Sequence, residues 1–127
     1  MAEEGRKPWP AVWVGTSLED LKKFPDEVQD EMGYGIFVAQ MGDKHHKARP
    51  LRGFKGGGVL EMISDHQGDT YRAVYAVCLV HAVYVLHAFQ KKSKKGIETP
   101  KRDVELIRQR LKRAEEMDAE ATSGGKS

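Results

Sequence analysis

Arg72, His87 and Lys91 are the residues whose types and spacing best suit chemistry on a polyanion. They belong to two β-forming runs, 70–80 and 83–90, with Lys91 at the end of the second. Side chains alternate faces along a strand. A two-residue turn at His81-Ala82 sets Val80 opposite Val83 and Arg72 opposite Lys91. A four-residue turn over 66–69 sets Asp65 opposite Thr70 and Ile63 opposite Arg72. Glu61, Ile63, Arg72, Val74, His87, Phe89 and Lys91 then share one sheet face, and a one-residue slip would disperse them. Arginine grips a phosphate bidentately, lysine adds a point charge and phenylalanine stacks on a splayed base. Cleaving RNA with its own 2′-hydroxyl needs a base, a cation for the phosphorane and an acid for the leaving 5′ oxygen. Arg72 suits the clamp and His87 the acid or base. Lys91 and Lys92 could stabilise charge or, in a dense cationic patch, transfer protons.

Each of these residues also has a purely structural use. Arg72 can pair with Glu61 on its own face. His87 and Phe89 can simply pack, and Lys91-Lys92-Ser93-Lys94-Lys95 can be a solvated loop. His45-His46 has no cysteine or carboxylate at ligand spacing, so neither a metal nor a cofactor is expected. The stretch 53–58 lacks the lysine-serine ending of a phosphate-binding loop and precedes a strand instead of a helix. No G-x-S-x-G elbow occurs, and Cys78 is expected mid-strand and buried, a poor nucleophile.

The elements that must position these side chains can be read in order. Residues 9–14 form a short strand with Pro10 near its start or on a sheet edge. Thr16-Ser17-Leu18-Glu19 has the form of a capping box opening a short helix, which Pro25 interrupts. A second helix presents Val28, Met32, Ile36 and Ala39 at helical spacing and stops at Gly42. Residues 43–58 read as loop, followed by strands 59–65, 70–80 and 83–90 and a basic loop over 91–98. Thr99-Pro100 starts a helix with Val104, Ile107, Leu111 and Ala114 on one face. The order β-α-α-β-β-β-α predicts an α+β fold, a mostly antiparallel sheet with an N-terminal helical hairpin and a C-terminal helix. One domain over 1–117 and a flexible polar tail over 118–127 are expected. The helices should cover the sheet face of Leu60, Met62, Tyr71, Ala73, Tyr75, Tyr84 and Leu86, leaving the Arg72 face open.

The 127 residues, 31% charged and 39% hydrophobic, suit one small core. No run is apolar enough for a membrane span, residues 1–8 lack the apolar stretch of a secretory signal, and one cysteine builds no disulfide framework. A reducing, cytoplasmic address is therefore expected. The net charge of +2 conceals an asymmetry, because residues 89–113 hold 10 basic against 3 acidic side chains. Such a segment faces a polyanion or an acidic partner.

Pro50-Leu51-Arg52-Gly53 before Val59-Leu60-Glu61-Met62, then Thr70-Tyr71-Arg72-Ala73-Val74-Tyr75, resembles the RelE/ParE superfamily of toxin–antitoxin toxins. The ending Tyr84-Val85-Leu86-His87-Ala88-Phe89-Gln90-Lys91-Lys92-Ser93-Lys94-Lys95, followed by Thr99-Pro100, is similar to its HigB-like, phage Gp49-related branch. The resemblance covers residues 9–115. It implies a small RelE-like toxin, a metal-independent endoribonuclease that cuts mRNA on the ribosome. It also implies a cognate antitoxin, commonly a HigA-like helix-turn-helix protein, forming a hetero-oligomer with the toxin. The family's roles fall on Arg72, Phe89, Lys91 and Lys92, and on His87, with Arg49, Arg52, Lys94 and Lys95 as further RNA contacts. The C-terminal tyrosine or histidine of some family nucleases is missing, so the general acid is not assigned. Rival readings are a ParE-like inhibitor of DNA gyrase and a non-catalytic module binding RNA or a partner.

Overall fold

A computed structural model describes residues 8–91 and 99–124. Its strands are β1 (Ala11–Trp13), β2 (Ala48–Pro50), β3 (Val59–His66), β4 (Asp69–Ala76) and β5 (Val83–Lys91). They form one sheet in the order β1-β5-β4-β3-β2, antiparallel except where β1 runs parallel to β5. Helices α1 (Ser17–Leu21) and α2 (Asp26–Gln40) make the expected hairpin, and α3 (Lys101–Gly124) closes the described chain. This is the α+β, RelE-like architecture expected. The short strand β2 lies inside the stretch expected as loop. It sits at a sheet edge, where Pro50 and its missing N–H are tolerated.

The sheet is covered on both faces. On one, α2 buries Val28, Met32, Ile36 and Ala39 against Leu60, Met62, Tyr71, Ala73 and Tyr75. On the other, α3 lays Ile107 and Ala114 over Val59, Val74, Ala76, Tyr84 and Leu86. The face carrying Arg72 is thus not open, contrary to expectation. The reason is visible in β4 and β5, where residues 71–76 and 83–88 are buried without interruption. Strands apolar on both faces need cover on both, and the apolar stripe of α3 supplies the second layer.

The β3–β4 register is the expected one, with Asp65 opposite Thr70 and Ile63 opposite Arg72. Between β4 and β5 it differs: Arg72 pairs with Phe89, and Lys91 with Thr70. The connection runs through residues 77–82 in place of a two-residue turn. A slip of two residues keeps every side chain on its face, so Glu61, Arg72, His87, Phe89 and Lys91 still share one side. Beyond His87 the ladder is broken: Val74 pairs with His87 but Tyr75 with Val85, leaving Leu86 as the extra residue. That bulge turns Tyr84 and Leu86 toward α3 and Val83 and Val85 toward α2, the reverse of unbroken alternation.

The C-terminal helix continues to Gly124, so residues 118–124 are not the flexible tail expected. Asp118 is buried and accepts hydrogen bonds from the backbone N–H groups of Val80 (2.9 Å) and His81 (2.8 Å) and from the Tyr84 hydroxyl (3.0 Å). One carboxylate thereby ties α3 to the 77–82 connection. Cys78, in that connection, is exposed and not mid-strand. At α1 the capping box does not form; the Thr16 hydroxyl donates to Asp20 Oδ2 at 2.8 Å. No helix among the described residues is long and apolar enough to cross a membrane.

Candidate functional site

Three strands converge on Glu61. The β2–β3 ladder sets Arg49 directly opposite it, and the β3–β4 ladder sets Arg72 diagonally across on the same face. Arg72 Nη1 donates to Glu61 Oε1 at 2.8 Å, and Arg49 Nη2 lies 3.5 Å from the same oxygen. Arg72 and Glu61 are 3% and 4% exposed, whereas Arg49 reaches solvent. Arg72 Nη1 also lies 3.3 Å from the Thr99 hydroxyl, which accepts from it. A buried carboxylate and guanidinium are tolerable only when matched in this way.

Above the pair opens a cleft of about 330 Å³ lined by Arg49, Pro50, Leu51, Arg52, Gly53, Glu61, Thr99, Val104 and Arg108. Its size is that of pockets that enclose a small ligand or part of a larger one. Arg108 reaches across from α3, donating to the Gly53 carbonyl at 3.0 Å and lying 4.7 Å over the Phe54 ring. Arginines from three chain segments line the cleft that also holds the Glu61 carboxylate. That arrangement favours a phosphate-bearing ligand, since guanidinium groups match phosphate oxygens in geometry and charge.

A second polar cluster adjoins the first. His87 Nε2 lies 2.8 Å from Asp103 Oδ1, and its ring stacks on Phe89 at 4.7 Å and 18°. Arg110 Nη1 donates to the Leu86 carbonyl at 2.9 Å and lies 3.5 Å from His87 Nδ1, while its Nη2 donates to the Thr16 hydroxyl at 3.0 Å. Arginine only donates, so Nδ1 is the acceptor and the ring proton sits on Nε2, toward Asp103. Asp103 and Val104 are consecutive on α3, so the two clusters meet at its first turn.

The residues singled out in the sequence therefore separate. Arg49 and Arg52 line the cleft, and Arg72 reaches it through Glu61 and Thr99. His87 and Phe89 form the second cluster, and one face of the Phe89 ring is taken by the imidazole. Lys91 is buried at the end of β5, opposite Thr70. Lys92, Lys94 and Lys95 lie outside the described residues. Glu61, Thr99 and Arg108 were not among the candidate site residues. Arg108 carried a signal, since it lies in the basic segment four residues beyond Val104 and so beside the buried stripe. Among the described residues no group of three His, Cys, Asp or Glu could hold a metal ion.

A two-sided α+β sheet with an arginine-lined cleft at one edge is a small protein of RelE-like fold. Residues 19–112 match the phage-derived protein Gp49-like family. The chain belongs to that family, which falls in the RelE/HigB-type toxin group and is associated with toxin–antitoxin toxins. No curated protein and no solved structure is significantly similar to the chain.

Proposed function

We propose that the chain is the toxin of a type II toxin–antitoxin system, an endoribonuclease that cuts mRNA on translating ribosomes in the cytoplasm and is neutralised by a cognate antitoxin. The observation that carries this reading is the cleft that Arg49, Arg52 and Arg108 line together with Glu61. RNA enters with a phosphate among the rim arginines. Glu61, steadied by Arg72, takes the proton of the 2′-hydroxyl, and the 2′ oxygen forms its bond to phosphorus as the bond to the 5′ oxygen breaks. The products are a 2′,3′-cyclic phosphate and a 5′-hydroxyl. Arg49 and Arg108 stabilise the phosphorane, and Arg72 offsets charge beside Glu61. The 5′ oxygen leaves with a proton for which His87, Lys91 and Lys92 are the candidates; His87 can give one only as the imidazolium, because the single proton of its neutral ring faces Asp103.

Primer extension on a defined mRNA in a purified translation system, with naked mRNA in parallel, tests this. Cuts at A-site codons only on translating ribosomes are expected, and Glu61→Gln, compared at a temperature where its measured stability keeps it folded, should reduce them by about 100-fold or more. Cuts in naked mRNA alone would remove the ribosome from the reading. Absence of cuts from folded protein that still arrests growth would move the target to gyrase.

A further inference from the structure

Among the described residues, three of the four exposed large apolar side chains lie on or beside the outer side of α2, the fourth being Val80 in the 77–82 connection. Tyr34 and Phe37 are 59% and 47% exposed on α2, and Trp9, 46% exposed, is held at its C-terminal end. There the Trp9 N–H donates to the Gln40 carbonyl at 2.8 Å and Gln40 Nε2 donates to the Trp9 carbonyl at 2.7 Å. The same side begins with Asp26, Glu27 and Asp30, all exposed. Asp30, Tyr34 and Phe37 follow the four-then-three spacing of a seam that meets another helix.

A glycine marks the middle of this seam. Gly35, facing inward, has a steric reason to be glycine, since a Cβ there would come 2.2 Å from Met62 Sδ. Gly33, facing outward, has none: a Cβ there meets nothing within 4 Å. Glycine within a helix is disfavoured against alanine, and among the described residues no neighbour of Gly33 returns that cost. Close approach of another backbone does, as small residues permit at tight helix crossings. Residues 1–7, Met-Ala-Glu-Glu-Gly-Arg-Lys, offer no aromatic or branched aliphatic side chain to cover the patch. The acidic first turns repel nucleic acid and favour a partner bearing lysine or arginine.

We propose that this face is where the antitoxin docks, and that it receives an amphipathic helix, apolar where it crosses Gly33, Tyr34 and Phe37 and basic where it passes Asp26 and Asp30. The proposal rests on the toxin reading above. It places the antitoxin on the side of the sheet opposite the arginine cleft, because α2 and α3 cover opposite faces.

Calorimetric titration of the folded full chain with its cognate antitoxin tests it. Gly33→Leu should keep or raise the melting temperature and retain growth arrest, yet weaken antitoxin binding by about 30-fold or more. Asp30→Lys should weaken it by about 10-fold and flatten its salt dependence. Unchanged antitoxin affinity in both variants overturns the docking face alone and leaves the toxin reading intact. A wild-type chain that binds no antitoxin overturns both. Antitoxin affinity retained while the variants lose self-association in sedimentation would assign the face to a second copy; affinity retained with weakened RNA binding would assign it to nucleic acid. Either result also overturns the proposal.

Discussion

Arg72 and Glu61 form a buried ion pair diagonally across the β3–β4 ladder, with Nη1 2.8 Å from Oε1. Removing one member of such a pair strands a charge in the interior, at a cost of about 3–5 kcal/mol. Replacing both with apolar groups of similar volume removes the charge with its partner. Arg72→Met and Glu61→Leu should each destabilise the fold strongly, and the double variant should be less destabilised than their sum by about 2 kcal/mol. Urea denaturation of the four proteins measures this coupling. Additive losses would show that the two side chains do not interact in solution. A low activity for Arg72→Ala therefore bears on chemistry only beside a measured stability.

The rim arginines make a different prediction. Arg49, Arg52 and Arg108 line the cleft from β2, the following loop and α3. If each meets a phosphate, removing one should lower the slope of log affinity against log salt by about 0.7 on single-stranded RNA. Arg108→Ala should have the largest effect, because it also loses the tie to Gly53 and the stack on Phe54. Fluorescence anisotropy with a labelled RNA over a salt series reads both quantities. A slope equal to wild type in all three variants would take the RNA away from this cleft.

Much of this arrangement is legible in the sequence because it follows short-range periodicity. The apolar positions of α2 recur at helical spacing, and the turn at His66-Gln67-Gly68-Asp69 fixes the β3–β4 register that sets Arg72 near Glu61. What is not legible depends on contacts between distant segments. Strand β2 is three residues long and ends in proline, so nothing local marks it, yet it alone brings Arg49 to Glu61. The bulge at Leu86 has no glycine to announce it, and it decides which of Tyr84 and Val85 meets α3. The cover of α3 over the Arg72 face follows from an excess of apolar residues on both faces of β4 and β5, which alternation alone does not reveal. Asp118 sits in a run of alanine and acidic residues whose composition reads as tail.

That carboxylate carries the next prediction. Burial alone would raise Asp118, but the N–H groups of Val80 and His81 and the Tyr84 hydroxyl outweigh it and hold the group below the ordinary aspartate value of 3.8. A depressed folded value means that the unfolded chain binds the proton more readily. The contribution is thus full above pH 3.8 and lost as pH falls through the lower folded value. Asp118→Ala, or removal of residues 118–127, should cost about 3 kcal/mol at neutral pH by leaving these donors without their charged acceptor. Thermal unfolding at stepped pH should show the gap between wild type and Asp118→Asn closing below pH 3.8. A gap that does not change with pH would mean that the carboxylate is not what holds the connection.

His45 sets a second and separate acid response. Its ring is buried, stacks on His46 at 4.4 Å and meets the edge of Tyr34, while Nδ1 accepts from the Lys47 N–H at 3.1 Å. Burial, helped by the charges of His46 and Lys47, holds the imidazole below its ordinary 6.5, with Glu31 pulling the other way. The unfolded chain then takes up a proton that the folded chain refuses, so stability declines as pH is lowered from 6.5. Glu31 does not share this window. Burial would raise it, but Lys47 and Ser64 hold it below 4.5, so its contribution is lost only in stronger acid. His45→Asn keeps an acceptor near the Lys47 N–H and removes the titration. Denaturation over a pH series should therefore show wild-type stability falling more steeply than that of the variant as pH is lowered from 6.5. Parallel profiles for wild type and variant in that range would show that His45 is solvated in solution and that the end of α2 is looser than its packing indicates.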